Sequence, residues 1–210
     1  MIVVSSFEIT ESGRRTQPWG VTVGHEYKEG QYYNFRESPE LITTHLEDFA
    51  KHSDQEAVQI FYSLIRWING NDSIFESTDC LLSGSPEKSP DAALFRCSHI
   101  TKGRFEFFMR QTELNANKDS IQWVYDKLSI YLQVERPEFR KGTFRIAPLI
   151  TDYITTDGDE LTGYRFCVYF YAYGNGVMDT WGSLSSMFES LMKATKRVNS
   201  EALSGEAVPI

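Results

Sequence analysis

Alternation of apolar and polar residues predicts strands in the first part of the chain. Residues 2–10 alternate loosely, and a clearer period of two follows Gln17-Pro18. The larger side chains of that second segment fall on one of its sides: Trp19, Val21, Val23, His25 and Tyr27. Glu29-Gly30 then has the composition of a turn, and a returning strand is predicted from Gln31 to Phe35.

A helical period replaces the strand period after Ser38. Ser38-Pro39-Glu40 is a helix-start pattern with proline in the first turn, and it predicts a helix to about Lys51. A longer helix is predicted to begin at Ser53, because Ser53 and Glu56 have the spacing of a capping box. It is expected to end at Asn69-Gly70 in a left-handed conformation. Its apolar stripe comprises Ala57, Ile60, Phe61, Leu64, Ile65 and Ile68.

Two more helices are predicted, from about Asp119 to the residues before Pro137 and from about Thr180 to Val198. Strand patterns lie between the helices, over Ser73–Leu82, Gly103–Gln111, Gly142–Ile154 and Leu161–Tyr173. The last two strands enclose the turn sequence Thr-Thr-Asp-Gly-Asp-Glu at residues 155–160, so they are predicted to form a hairpin.

The order of strands followed by a helix occurs three times and predicts an α+β fold. Strands that arrive as hairpins favour a largely antiparallel sheet with the helices packed on one face. The regular spacing of the helices near Ser53, Asp119 and Thr180 suggests a threefold ββα arrangement, although the three units share no residue-by-residue identity. Residues 1–199 are predicted to form a single domain and residues 200–210 a flexible C-terminal tail.

The charge balance narrows the classes of partner. Lysine and arginine total 21 against 29 aspartates and glutamates, a net charge of −8. Such a surface repels nucleic acid, which is therefore not expected as a partner. The basic cluster in the sequence is small and interrupted by acids: Arg136, Arg140, Lys141 and Arg145. The rings of Tyr164–Tyr173 have the composition of a base-stacking platform, but few cations lie beside them in the sequence, so core packing is favoured.

Membrane and secretion signals are not expected either. The longest apolar-leaning run, Phe166–Tyr173, is too short to span a bilayer, and residues 1–8 lack the pattern of a signal peptide. Cys80, Cys97 and Cys167 are odd in number and widely spaced, which is typical of reduced thiols. A cytoplasmic location is therefore expected.

The segment around Cys80 is the best candidate for nucleophilic chemistry. On a regular strand one side would carry Glu76, Thr78 and Cys80, and the other side Ser77 and Asp79. A cysteine nucleophile needs a base, and the histidines are all distant from Cys80 in the sequence: His25, His45, His52 and His99. A buried thiol that packs as a small apolar group is the favoured interpretation.

Metal and cofactor sites are not predicted. His25-Glu26 and His45-x-x-Asp48 are the close histidine–carboxylate pairs, and each is two ligands short of a metal site. Gly174-Asn175-Gly176 lies between a strand and a helix, where a flexible connector is favoured over an anion site. No catalytic residue, metal or cofactor is therefore assigned.

In general build the chain resembles the immunity proteins that bacteria pair with secreted toxins. The resemblance runs through a helix with Asn-Gly-Asn-Asp after it, the segment Phe75–Cys80, Gly103-Arg104, and Arg110-x-x-x-Leu114-Asn115. It implies tight, non-catalytic binding to the active-site face of a toxin. Complementarity to a basic toxin surface selects exposed acids as candidate contacts: Glu76, Asp79, Asp152, Asp157, Asp159 and Glu160.

Two alternatives remain open. The first is an enzyme whose site assembles only in three dimensions, from Cys80, a histidine and Glu76. The second is a structural or regulatory subunit that self-associates through a sheet edge or an aromatic face.

Overall fold

A computed structural model describes residues 2–5, 16–17, 35–134, 141–154 and 160–205. Its strands are β1 (Ile2–Ser5), β2 (Thr16–Gln17), β3 (Phe75–Leu82), β4 (Glu87–Lys88), β5 (His99–Met109), β6 (Gly142–Ile154) and β7 (Glu160–Gly174). Its α-helices are α1 (Ile42–His45), α2 (Glu47–Ala50), α3 (Glu56–Ile68), α4 (Thr112–Ala116), α5 (Lys118–Val134) and α6 (Val177–Leu203). Short 3-10 segments cover Pro39–Leu41 and Pro90–Phe95.

The strands form one mostly antiparallel sheet, in the order β1-β6-β7-β5-β3. β1 runs parallel to β6, whereas the other neighbours along this path are antiparallel. β2 also pairs with β6, and β4 pairs with β5. The predicted hairpin is confirmed: β6 and β7 pair continuously from Gly142 opposite Ala172 to Ile154 opposite Glu160. The α+β class and the largely antiparallel sheet are therefore confirmed.

The main core lies between one face of this sheet and the helices. On β7 the residues at even positions, Phe166, Val168, Phe170 and Ala172, belong to this core, and the odd positions face the other way. α6 packs on β7 and lies between α3 and α5. Aromatic rings join the layers, since the Phe188 ring centroid lies 4.8 Å from that of Phe61 and 5.0 Å from that of Phe170. Buried rings thus account for much of the aromatic content.

The predicted threefold ββα order is present in its second and third units. In the second unit the paired strands β3 and β5 precede α5, with the short elements β4 and α4 between them. In the third unit the paired strands β6 and β7 precede α6. β1 and β2 pair with β6. The strands predicted between Trp19 and Asn34 lie outside the described residues. The complete threefold arrangement therefore stays a prediction.

α3 ends at its C-cap Asn69 as predicted, but its start and both of its caps differ from the prediction. The helix begins at Glu56, and its N-cap Gln55 makes no side-chain capping bond, so the capping box at Ser53 does not form. Ser53 instead accepts a hydrogen bond on its carbonyl from the Gln59 side chain. Asn69 has right-handed backbone angles, and its buried side chain caps the helix end by bonding Ile65 O and the Ser77 amide. The C-terminal end of α3 is therefore capped by a side-chain amide and not by a residue in the left-handed conformation.

Two other predicted boundaries also change. The segment after Ser38 starts with Pro39 in its first turn as predicted, but it forms α1 and α2 with a break at Leu46, where ψ is 73°. α6 continues through Leu203, so residues 200–203 of the predicted flexible tail are helical. Among the described residues, no helix combines the length and apolar character needed to cross a bilayer.

Candidate functional site

The face of the sheet opposite the helices carries a row of tyrosines. Tyr169, Tyr171 and Tyr173 occupy alternate positions of β7, and we call them the tyrosine ladder. Their side chains share one face because alternate residues of a strand point the same way. Tyr169 and Tyr171 are partly exposed, whereas Tyr173 is buried.

Cations from both neighbouring strands flank the tyrosine ladder. On β6, Arg145 lies opposite Tyr169, and its guanidinium carbon is 5.9 Å from the ring centroid. On β5, Arg104 lies opposite Tyr169 and Lys102 opposite Tyr171. Arg145 and Lys102 are exposed, and no carboxylate of the described residues forms an ion pair with either of them. The tyrosine ladder thus has an unpaired positive charge on each side.

The environment of Tyr169 keeps its phenol neutral. Burial and the neighbouring Cys167 thiol raise the pKa of Tyr169 to about 12. The ring packs against the small cluster of Ala147, Leu149 and Cys167. Near neutral pH, Tyr169 therefore offers an uncharged ring with the Arg145 cation over it.

The other end of the tyrosine ladder is apolar. The Phe95 ring stacks on Tyr173 with a centroid distance of 4.1 Å and an interplanar angle of 17°. Leu94, next to Phe95 in the Pro90–Phe95 segment, is 86% exposed. The pKa of Tyr173 is raised, chiefly by burial, and the charges of Tyr171 and Asp91 add to this effect.

Beyond Tyr169 the same face is buried and its charges are paired. The Arg165 Nε donates to Glu106 Oε2 at 2.7 Å, and both side chains are almost fully buried. Arg165 also donates to Ile150 O and Thr151 Oγ1. Arg104 donates to Asp79 Oδ2 at 2.6 Å. These ion pairs satisfy charges inside the sheet, so this part of the face is structural.

The four described acids among the six predicted partner contacts lie at two separate places, on β3 and at the end of the β6–β7 hairpin. On the edge strand β3, Asp79 pairs with Arg104, and Glu76 lies 3.9 Å from the Arg110 guanidinium; both acids are only partly exposed. At the end of the β6–β7 hairpin, Asp152 accepts a hydrogen bond from Thr162, and Glu160 is exposed. Asp157 and Asp159 lie outside the described residues. The role of these acids in partner binding stays a prediction.

The predicted sidedness of the Cys80 segment is wrong. The pairing of β3 with β5 shifts between Ser77, which is opposite Phe107, and Cys80, which is opposite Phe105. This bulge puts Cys80 on the helix side with Ser77, packed against the main core. Cys80 is therefore separated from Glu76, which removes the carboxylate from the enzyme site considered above.

The thiols are poorly suited to nucleophilic chemistry. Burial raises the pKa of Cys80 well above its usual value, with Asp79 and Glu106 adding to the effect, and burial also raises the pKa values of Cys97 and Cys167. Within the described residues, no hydrogen bond joins a thiol to an imidazole. The described histidines have other neighbours: Thr44 beside His45, Ser98 beside His99 and the Trp181 ring beside His52.

The geometry of the described residues bears on the candidate metal ligands and on the glycine turn before α6. No three histidine, cysteine, aspartate or glutamate side chains of residues 35–134, 141–154 and 160–205 come together as a metal-binding group. Ahead of α6, the Asn175 amide donates to Asp179 of the same chain at 2.6 Å. At Gly174 a Cβ would lie 2.4 Å from Thr180 N, so glycine is required there for close approach of the strand to α6. The glycines make a tight turn.

The tyrosine ladder and its neighbouring cations could be predicted from the sequence only in part. The period-two tyrosines of β7 stand in the sequence, but Lys102, Arg104 and Arg145 join them only through the strand register. The expectation of few cations near these rings is therefore wrong. Comparison of the chain with protein-family models, with curated proteins and with solved structures finds no match.

Proposed function

We propose that this chain is a non-enzymatic binding protein, and specifically an immunity protein that binds and neutralises a bacterial toxin in the cytoplasm. The observation that carries the proposal is the tyrosine ladder with an unpaired cation on each side. Tyrosine and arginine dominate the binding energy of protein interfaces, because they combine large ring or planar contact areas with directional polar groups.

The surroundings of the tyrosine ladder support binding rather than catalysis. Two pairs of charged side chains lie beside it, the buried Arg165–Glu106 pair and the partly exposed Arg104–Asp79 pair. The raised pKa values keep the thiols protonated near neutral pH. Exposed Leu94 extends the surface with apolar area. A partner protein would thus meet rings, a leucine and the cations Lys102 and Arg145 on a continuously paired sheet.

The net charge of −8 supports the same function because it would speed the encounter with a toxin. A strongly acidic protein is attracted to a basic toxin before contact, which raises the association rate. The exposed Glu160 and the other predicted acids would act in this long-range attraction. Their direct contact with the toxin is part of the proposal.

Neutralisation of a captured partner tests the function. The tagged chain is purified from its native host, and a protein recovered in equal amount is then expressed alone and with the chain in a bacterial strain that lacks both. We expect the partner alone to stop growth and co-expression of the chain to restore it. An unrelated protein of similar size and net charge serves as control. A partner that is harmless when expressed alone, or turnover of a small molecule by the isolated chain, would contradict the proposal.

A further inference from the structure

We infer that the tyrosine ladder and its flanking cations dock an extended acidic segment of a protein partner. The inference rests on the proposed function, and it names the contact surface and the chemistry of the partner segment. The surface is bounded by Lys102 on β5 and Arg145 on β6, with Tyr169 and Tyr171 between them and Leu94 at the far end.

The spacing of the surface matches an extended peptide. Alternate residues of a strand are roughly 6.6 Å apart, so Tyr169 and Tyr171 repeat at the interval of alternate side chains in an extended segment. Lys102 on β5 and Arg145 on β6 lie on opposite sides of β7. Adjacent strands are about 4.8 Å apart, so both cations are close to a segment that lies along β7. A segment that lies along β7 therefore contacts rings beneath it and has a cation within reach on either side.

The charges favour carboxylates on that segment. Arg104 is engaged by Asp79, and Lys141 is engaged by Asp179 at 2.8 Å. Among the described residues of β5 and β6, the exposed cations on this face that are left for a partner are Lys102 and Arg145. Charge-assisted hydrogen bonds from these side chains to carboxylates are stronger than bonds between neutral groups. Exposed Leu94 is next to Phe95, which stacks on Tyr173, so the acidic side chains are expected toward Tyr169 and the apolar ones toward Leu94.

A short acidic peptide fits these charges better than a nucleic acid. Two available cations match two or three carboxylates, whereas a nucleic acid presents a phosphate at every nucleotide. A nucleic acid would also approach a protein of net charge −8, which repels a polyanion in the absence of a larger basic surface. The partner segment is therefore assigned to a protein.

Charge reversal on the two sides of the sheet tests the inference. The probe is a fluorescein-labelled peptide of about ten residues that alternates glutamate and tyrosine, and its control replaces glutamate with glutamine. The test variant is Lys102→Glu with Arg145→Glu. The matched variant reverses two exposed cations on the helix side, Lys193→Glu with Arg66→Glu. Circular dichroism and thermal unfolding check that each variant folds.

We expect the acidic peptide to bind the wild-type chain and the Lys193/Arg66 variant alike. The Lys102/Arg145 variant should bind it at least about tenfold more weakly, which corresponds to about 1.4 kcal/mol. The glutamine peptide should bind all three weakly. No binding to the wild-type chain, or equal binding to both variants, overturns the inference. Tighter binding of a single-stranded polyuridine RNA with the same dependence on Lys102 and Arg145 also overturns it, in favour of nucleic acid.

The neutralisation assay separates this inference from the proposed function. If the Lys102/Arg145 variant protects cells as well as the wild-type chain, the docking surface is wrong while the immunity function stands. If the acidic peptide depends on Lys102 and Arg145 but the wild-type chain protects no cells from its captured partner, the immunity function is wrong while the docking surface stands.

Discussion

Arg165 is a buried cation within the sheet and depends on an ion pair and hydrogen bonds made inside it. Its guanidinium is buried and donates to Glu106, Ile150 O and Thr151, so its positive charge is compensated only through groups of the chain. Removing one member of a buried ion pair leaves the other charged and desolvated, and this costs more than the pair itself contributes.

Replacement of the Glu106 carboxylate should therefore destabilise the fold strongly. We expect Glu106→Leu to lower the free energy of unfolding by about 3 to 5 kcal/mol, measured by urea denaturation. The double variant Glu106→Leu with Arg165→Met should recover most of that loss, because it removes both buried charges. A double variant as unstable as the single one would show that the charge of Arg165 is not the cause.

Thiol modification tests the account of the three cysteines. Only the thiolate reacts with maleimides, and the pKa values of Cys80, Cys97 and Cys167 are all raised, chiefly by burial. We expect each thiol to react at least about tenfold more slowly in the native chain at pH 7 than in denaturant, as followed by mass spectrometry. A native thiol that reacts faster than the unfolded one would restore the enzyme alternative.

Buried asparagines join the ends of several elements. Asn69 links the end of α3 to β3, and Asn115 of α4 bonds both backbone groups of Met109 at the end of β5. Asn199 of α6 accepts from the Ile74 amide at 2.7 Å and donates to Asp72 O at 2.9 Å. A side-chain amide supplies both N–H donors and a carbonyl acceptor, so it can replace a missing backbone partner where an element stops.

Loss of the Asn199 amide should loosen α6 from the loop before β3. We expect Asn199→Ala to lower the free energy of unfolding by about 2 to 3 kcal/mol, because it leaves the Ile74 amide and the Asp72 carbonyl unsatisfied. The neighbouring Ser200→Ala, at an exposed position, should change it by less than about 0.5 kcal/mol. Equal effects of the two substitutions in chemical denaturation would contradict this role of Asn199.

Asp179 makes the start of α6 sensitive to acid. Its carboxylate accepts from the Asn175 amide and from Lys141, and these bonds lower the pKa of Asp179. A lowered pKa in the folded state means that the stabilisation is present above the unfolded value of about 4 and is lost as the pH falls through the folded value.

The corresponding prediction concerns Asp179→Asn. At pH 7 the substitution should lower the free energy of unfolding by about 1 to 2 kcal/mol, because a charge-assisted bond to Lys141 is lost. The difference from the wild type should shrink as the pH falls below about 4, and it should vanish below the lowered folded pKa, where the native wild-type carboxyl is neutral too. A difference that is constant from pH 7 to pH 3 in thermal unfolding would rule out this origin.

At the scale of the whole molecule, sequence periodicity predicted the positions of helices and strands better than it predicted which side chains meet on the surface of the sheet. α5, β6 and β7 follow their predicted positions closely because long periodic segments bury one side. The bulge that turns Cys80 toward the helices depends on how β3 meets β5, which no local pattern in β3 specifies. The surroundings of the tyrosine ladder could not be predicted from β7 alone either, because its cations come from β5 and β6 and reach the tyrosines only through the strand register.

The parallel pairing of β1 with β6 has a consequence for how the chain is made. Residues 2–5 hydrogen-bond to a strand at residues 142–154, while β7 and α6, which complete the sheet and its cover, come later still. During synthesis on a ribosome, β1 therefore emerges long before its neighbour, and the main core stays open until α6 has been released from the exit tunnel. Completion of this fold thus waits for the synthesis of α6, and a ribosome that stalls before α6 leaves the helix-facing rings Phe166 and Phe170 of β7 uncovered and prone to aggregation.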